Sequence, residues 1–260
     1  VVPQAMNPRI HDWRGQRVWL MGASSGIGEA LARKLAAAGA NVALSARRAE
    51  RMAALAQGMP NALVLPCDAT DAAALDAARE RIVASWGGMD LAVYLAGDYV
   101  PMRAWEFERQ AAERMIAVNL TGAMAFAAAL TPLLLKQERG QIAFVSSVAG
   151  YRGLPKALVY GPTKAALINF AETLWLDLAP RGIGVRLINP GFVATQLTAQ
   201  NDFAMPALLT PDDAAAEILR GFASDAFEIH FPKRFTRLLK VLRLLPYRLY
   251  FPLIRRLTGA

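Results

Sequence analysis

The chain has 260 residues, 55% of them hydrophobic, and a formal net charge of +8. That length suits one α/β domain with a large core. The single cysteine, Cys67, excludes an intrachain disulfide and fits a reducing, cytoplasmic setting. With only His11 and His230, no histidine-built metal site is expected. Of the 29 lysines and arginines, eight lie in residues 233–260, which hold no acidic residue, and the other 21 balance the 21 acids. A neutral body argues against a nucleic-acid-binding surface. No 18 apolar residues run uninterrupted, so no spanning helix is expected, and VVPQAMNPRIHDW lacks the apolar core of a signal peptide. Met6 is a candidate natural start.

Strand-like and helix-like patterns alternate along the chain. Residues 17–21 are a short apolar run ending at a glycine. Residues 26–38 have helical spacing and stop at Gly39. Residues 41–46 read as a buried strand, 50–57 as a helix and 61–65 as a third strand. Residues 71–86 form a helix with Asp71 in its first turn, and 91–95 a fourth strand. A long helical pattern covers 108–136. Residues 141–145 give a fifth strand, 158–178 another long helix and 185–188 a sixth strand. Thr210 caps a helix running to about Gly221, with Pro211 at its first position. Residues 227–231 form the last strand. Continuous apolar strands separated by helices predict an α/β, doubly wound parallel sheet of about seven strands, with helices on both faces. The expected division is an N-terminal extension (1–14), one domain (15–232) and a tail (233–260).

The stretch VWLMGASSGIGEAL (18–31) carries two superimposed motifs. Gly22-Ala23-Ser24-Ser25-Gly26 fits G-x-S-x-G, the turn that exposes a nucleophilic serine in α/β-hydrolases. That reading requires His230 as the base. It also requires earlier strands to supply an oxyanion donor, and the residues before Gly22 hold only one plausible strand. Gly22, Gly26 and Gly28 also fit a dinucleotide loop between a first strand and a first helix, where a Rossmann-type site lies. There Gly22 permits the tight turn, Gly26 lets the backbone approach a pyrophosphate, and Gly28 lets the helix pack on the sheet. The helix N-terminus supplies N–H groups and a favourable dipole.

Elsewhere, Tyr160 and Lys164 stand at i and i+4 on one helical face. Ser147 lies 13 residues before Tyr160, after the fifth strand, and Asn119 lies within the long helix before that strand. With MGASSGIG (21–28), LAG (95–97), VNLTG (118–122), SS (146–147), YGPTK (160–164) and NPGFVAT (189–195), the chain resembles the short-chain dehydrogenase/reductase family. The resemblance covers about residues 15–231. It implies an NAD(P)-dependent oxidoreductase, a carbonyl reductase reversible as an alcohol dehydrogenase.

The resemblance also implies roles. Tyr160 would be the general acid, and Lys164 would lower its pKa from about 10 and hold the nicotinamide ribose. Ser147, with Ser146 as a rival, would position the carbonyl, and Asn119 would anchor a proton-relay water. The cofactor would lie against Gly22, Ser24, Ser25, Gly26, Ile27 and Gly28. It would continue past Asp68, Ala69, Ala96 and Gly97 towards Pro190, Gly191, Val193 and Thr195. The chain departs from the family at Met21, where the family usually has Thr, and at Tyr94-Leu95, where it has Asn-Asn. In the family those Thr and Asn residues tie the turn to the central strand by side-chain hydrogen bonds, so this chain is expected to hold its turn differently. A non-catalytic dinucleotide sensor is the rival class, against which the complete Asn/Ser/Tyr/Lys set speaks.

An NAD-preferring site places a carboxylate at the end of the second strand. Here that strand ends in Arg47-Arg48, which suits a 2′-phosphate. NADP(H) is therefore expected over NAD(H), with Arg47 as the main contact. The tail alternates Leu, Val, Phe and Tyr with Lys and Arg, interrupted by Pro246 and Pro252. It reads as an interfacial segment for peripheral contact with the inner face of a membrane, which favours a hydrophobic, lipid-like small-molecule substrate beneath an apolar lid at 192–209. The two long helices resemble the family's subunit interface, which implies a homodimer or homotetramer.

Overall fold

A computed structural model describes residues 5–259. Residues 1–4 of the N-terminal extension and Ala260 of the tail lie outside the described residues.

Seven strands form one fully parallel sheet: β1 (Arg17–Met21), β2 (Asn41–Ser45), β3 (Ala62–Val64), β4 (Leu91–Tyr94), β5 (Gln141–Val145), β6 (Gly184–Pro190) and β7 (Glu228–Phe231). Their order is β3-β2-β1-β4-β5-β6-β7. The strand order reverses between β1 and β4, which opens a crevice at the strands' carboxyl ends.

The side chains of β1 alternate between two cores, as a period of two requires. Val18 and Leu20 join Leu31, Leu35, Met52, Ile218 and Phe222 on one face. These come from α1 (Gly26–Ala37), α2 (Ala49–Ala56) and α7 (Pro211–Phe222). Trp19 and Met21 join Leu75, Phe126, Leu130, Leu167 and Ala171 on the other face. These come from α3 (Ala72–Trp86), α5 (Gly122–Gln137) and α6 (Tyr160–Leu178). Both sheet faces are thus covered, which explains why the strands read as unbroken apolar runs.

The pattern over 108–136 resolves into three parts: α4 (Arg109–Ile116), a π-turn (Ala117–Thr121) and α5. Periodicity predicts one helix because a π-turn adds a residue without breaking the apolar face. Residues 109–137 are long and apolar enough to cross a membrane, but α5 lends its apolar side to the sheet's core. Residues 7–14 pack into the body: Ile10 and Trp13 join the α1/α7 core, and the Asn7 side chain accepts from the Val185 N–H at 2.9 Å. The Arg186 guanidinium, buried in β6, donates to Pro8 O, Ser224 O, Gly221 O, Ala226 O and Gln141 Oε1.

The tail is helical: α8 (Lys233–Arg243) and α9 (Tyr247–Thr258). The break comes at Pro246, whereas α9 runs through Pro252. At that sixth helical position the missing N–H forfeits a single backbone bond, to Arg248 O.

Candidate active site

A cavity of about 750 Å³ opens at the carboxyl ends of β1, β4, β5 and β6. Every residue assigned above to the cofactor lines it, and so do Ser147 and Ser146. Asn119 does not line it; it lies fully buried behind the wall.

The cradle starts where β1 ends. Gly22 N–H donates to Ser45 O at 2.7 Å, and Leu95 N–H donates to Met21 O at 2.7 Å. The turn at Met21 is therefore held by backbone, without the side-chain bond that a threonine would add. A Cβ on Gly28 would stand 2.2 Å from Gly22 O, so the first turn of α1 fits against the loop only without a side chain. The resulting concavity, facing the α1 N-terminus, has the shape and donors that a pyrophosphate requires. Across it, Arg48 donates to Ser24 Oγ at 3.0 Å and to Ser25 Oγ at 3.3 Å. Arg48, rather than Arg47, is thus the arginine that reaches the glycine loop. Arg47 acts on Asp68, whose carboxyl sits below its ordinary range, held mainly by the Thr70 N–H and assisted by Arg47's charge. Asp68 is not the cap of α3. Asp71 caps it, accepting from Ala74 N–H at 3.1 Å.

The catalytic candidates converge from three elements. Ser147 lies two residues after β5, at the start of a short turn, and its hydroxyl accepts from Ala149 N–H at 3.1 Å. Tyr160 opens α6, and Lys164 follows one turn later, its ammonium 5.6 Å from the Tyr160 ring centroid. Lys164 Nζ donates to Val145 O at 3.0 Å. Ser146 is committed elsewhere, donating to Lys164 O at 2.9 Å, which leaves Ser147 as the serine facing the phenol. A Cβ on Gly150 would stand 2.7 Å from the Lys164 carbonyl carbon, so the turn after Ser147 sits directly on α6.

The Asn119 side chain acts as a clamp. Its Oδ1 accepts from Asp98 N–H at 2.7 Å, and its Nδ2 donates to Asp98 O at 2.9 Å and to Thr163 Oγ1 at 3.2 Å. It joins the loop after β4 to α6 from within the π-turn. Tyr94, the departure in β4, donates from its hydroxyl to Val118 O at 2.6 Å, tying β4 to the same turn.

A sequence profile described as short chain dehydrogenase matches residues 16–205. The chain belongs to the short-chain dehydrogenase family. It is 36% identical over 241 residues to an uncharacterised oxidoreductase of Myxococcus xanthus, covering 91% of this chain and 95% of that one. A short-chain dehydrogenase structure from Streptomyces avermitilis shares 25% identity with a TM-score of 0.76, covering 87% of this chain and 92% of that one. The fold of a short chain dehydrogenase/reductase from Burkholderia phymatum, solved in complex with NAD, is similar at a TM-score of 0.81 and 22% identity, covering 89% of this chain and 94% of that one.

In this short-chain dehydrogenase, burial dominates the electrostatics of the site. It pushes the Tyr160 phenol up to about 12, with the hydrogen bond to Ser147 working against it. Burial likewise pushes Lys164 down to about 8. Without a bound cofactor, Tyr160 is therefore a neutral acid.

Several residues of the site escape sequence reasoning. Tyr99 sets its ring edge-on to Tyr160, centroids 4.8 Å apart, and donates to Asn201 Oδ1 at 2.8 Å. Asp98 pairs with Arg114 at 2.7 Å on the cavity wall. No motif marks these residues, because their partners come from distant parts of the chain. The hydrolase parse finds no catalytic base at Ser24, whose partner is Arg48, while His230 Nδ1 meets Thr236 Oγ1 at 2.6 Å. Among the described residues no group of three or more His, Cys, Asp or Glu could hold a metal ion.

Proposed function

We propose that this protein transfers hydride between NADP(H) and a carbonyl or secondary alcohol carried on a hydrophobic, lipid-like substrate. The observation that carries the reading is the meeting of Ser147, Tyr160 and Lys164 in one cavity with a glycine cradle at its far end. The bound nicotinamide would supply or accept the hydride. Ser147 orients the substrate oxygen through its hydroxyl. Tyr160, neutral through burial, gives that oxygen its proton. Lys164 brings a positive charge near the phenol, favours the phenolate left after transfer, and binds the ribose. Asn119 holds Asp98 and Thr163 in place beside them, and a relay water would pass the proton onward.

Arg48 over Ser24 and Ser25, with no carboxylate at the end of β2, supports a 2′-phosphate and hence NADPH. The exposed apolar side chains of Ile116, Met124 and Leu176 support pairing of subunits along α4, α5 and α6 as a homodimer or homotetramer. Cysteine usage and the basic tail support a cytoplasmic protein associated with the inner face of a membrane.

The test is NADPH oxidation against ketones of graded chain length, with NADH in parallel. Tyr160→Phe should lower kcat by about 10²–10⁴-fold while NADPH still binds in a fluorescence titration. An unchanged kcat sinks the catalytic assignment. Arg48→Ala should raise the KM for NADPH by about 10–100-fold and leave that for NADH nearly unchanged. A wild-type preference for NADH overturns the cofactor reading.

A further inference from the structure

Helices α8 and α9 bury one side and leave the other without a partner. Thr236, Leu242, Tyr250 and Ile254 face the body, and the last three join Leu154 in a small apolar cluster. The outer side exposes Leu238, Val241, Leu244, Tyr247, Leu249 and Phe251, with Leu244 81% accessible. Six large apolar side chains exposed within fourteen residues are unusual for a solvated helix pair. Arg234, Arg237, Arg243 and Arg248 are exposed among them, and no acidic residue occurs from 233 to 260.

We propose that this hairpin docks on bilayers containing anionic phospholipid. Charge and apolarity together select that occupant. Leucine and aromatic side chains enter the acyl boundary while arginines meet phosphate headgroups, their long stems snorkelling outward. A second copy of the chain fits poorly. A two-fold contact would place this uniformly basic surface against itself, and like charges across an interface repel.

The hairpin is fastened to the catalytic side of the molecule. Arg152 lies between Ser147 and Tyr160 in the chain. It donates from Nη1 to the carbonyls of Leu242 (3.1 Å), Arg243 (2.9 Å) and Leu245 (2.6 Å), closing the end of α8. Its guanidinium lies 3.9 Å from the Tyr250 ring centroid and 4.8 Å from that of Tyr247. Tyr250 donates to Gly153 O at 2.7 Å. From the same end of α8, Lys240 reaches Glu228 at 2.5 Å, and Tyr151 donates to the same carboxylate. Phe235 of α8 packs on Phe192, which packs on Phe203 in the flap after β6. The docked hairpin therefore touches two segments that adjoin the cavity, the turn between Ser147 and Tyr160 and the flap after β6, so a lipid-borne substrate would enter beside the bilayer. The docking stands on the hairpin alone; only the delivery of substrate rests on the oxidoreductase reading.

The test is flotation of the full chain with phosphatidylcholine vesicles containing about 30% phosphatidylglycerol. Binding is expected, and it should weaken at least about tenfold on pure phosphatidylcholine or in about 0.5 M sodium chloride, which screens the headgroup attraction. The surface variant Leu244→Ser/Phe251→Ser should lose vesicle binding about tenfold and keep its thermal midpoint, its NADPH affinity and its turnover of a short soluble ketone. A full chain that fails to float with anionic vesicles overturns the proposal. So does a wild-type dimer that the same double substitution dissociates, which would make a second copy the occupant. Vesicle binding without binding of either NADPH or NADH would instead strike the oxidoreductase reading and leave the docking intact.

Discussion

The glycine loop between β1 and α1 is held by backbone and short side chains, whereas the surroundings of Tyr160 are held together by side chains from distant segments. On the first side Gly22, Gly26 and Gly28 lie within seven residues, and a tight turn alone brings them together. On the second side, Tyr99, edge-on to Tyr160, reaches Asn201 across 102 residues, and Arg152, between Ser147 and Tyr160 in the chain, reaches Leu242 across 90. The loop has little freedom to change at Gly22 and Gly28, where backbone atoms already occupy the place of a side chain. The second is a set of pairwise contacts that can be exchanged one by one. This difference matches their tasks: the cofactor does not vary among substrates, and the substrate pocket must.

Gly28→Ala puts the largest strain on this comparison. Its Cβ would meet Gly22 O at 2.2 Å, and that oxygen is backbone with no flexible end to yield. The expected result is loss of measurable NADPH binding and a destabilisation of about 3 kcal/mol or more, read by calorimetry. Near-native binding would show that the loop is softer than the geometry implies. Arg152→Ala should act behind the opposite wall, on the segment that joins Ser147 to Tyr160, and more mildly. It removes three hydrogen bonds from a charged donor and two ring contacts, and should lower stability by about 2 kcal/mol. The KM for a ketone should rise while the NADPH dissociation constant stays within about twofold, since nothing in the cradle is touched. An equal loss in both constants would mean that the walls are coupled.

The same contrast decides what the sequence reveals. Strands, their order of appearance and the glycine turn follow from short-range rules, so β1 and α1 stand where periodicity and Gly39 predict them. Tyr160 and Lys164 were legible because one helical turn separates them. The π-turn at Ala117–Thr121 was not, because its Asn119 takes its partners from Asp98 and Thr163, which no local pattern announces. That Arg48 is the arginine bonded to Ser24 and Ser25 is not legible either, because the sequence carries the pair's composition and not the direction of each side chain. The packing of residues 7–14 onto the body is hidden for a similar reason: Asn7, Pro8 and Ile10 find their partners at Val185, Arg186 and Phe222.

Lys164 gives the smallest and sharpest test, because it belongs to both walls. Burial pushes its pKa from 10.5 to about 8, so the unfolded chain holds the proton more tightly than the folded one does. Between about pH 8 and 10.5 stability should therefore rise with pH. Below pH 8 the full cost of the buried ammonium is present. Lys164→Met removes that cost, while the methionine fills much the same space, and should stabilise the cofactor-free protein at pH 7 by about 1–3 kcal/mol, the upper figure ignoring the lost bond to Val145 O. The gain should shrink as pH rises past 8 and vanish near 10.5, followed by thermal melts across that range. Turnover should fall with the gain in stability, as it does where a site keeps a costly charge for its chemistry. A Met variant no more stable than the parent at pH 7 would show that the hydrogen bond to Val145 already compensates the charge.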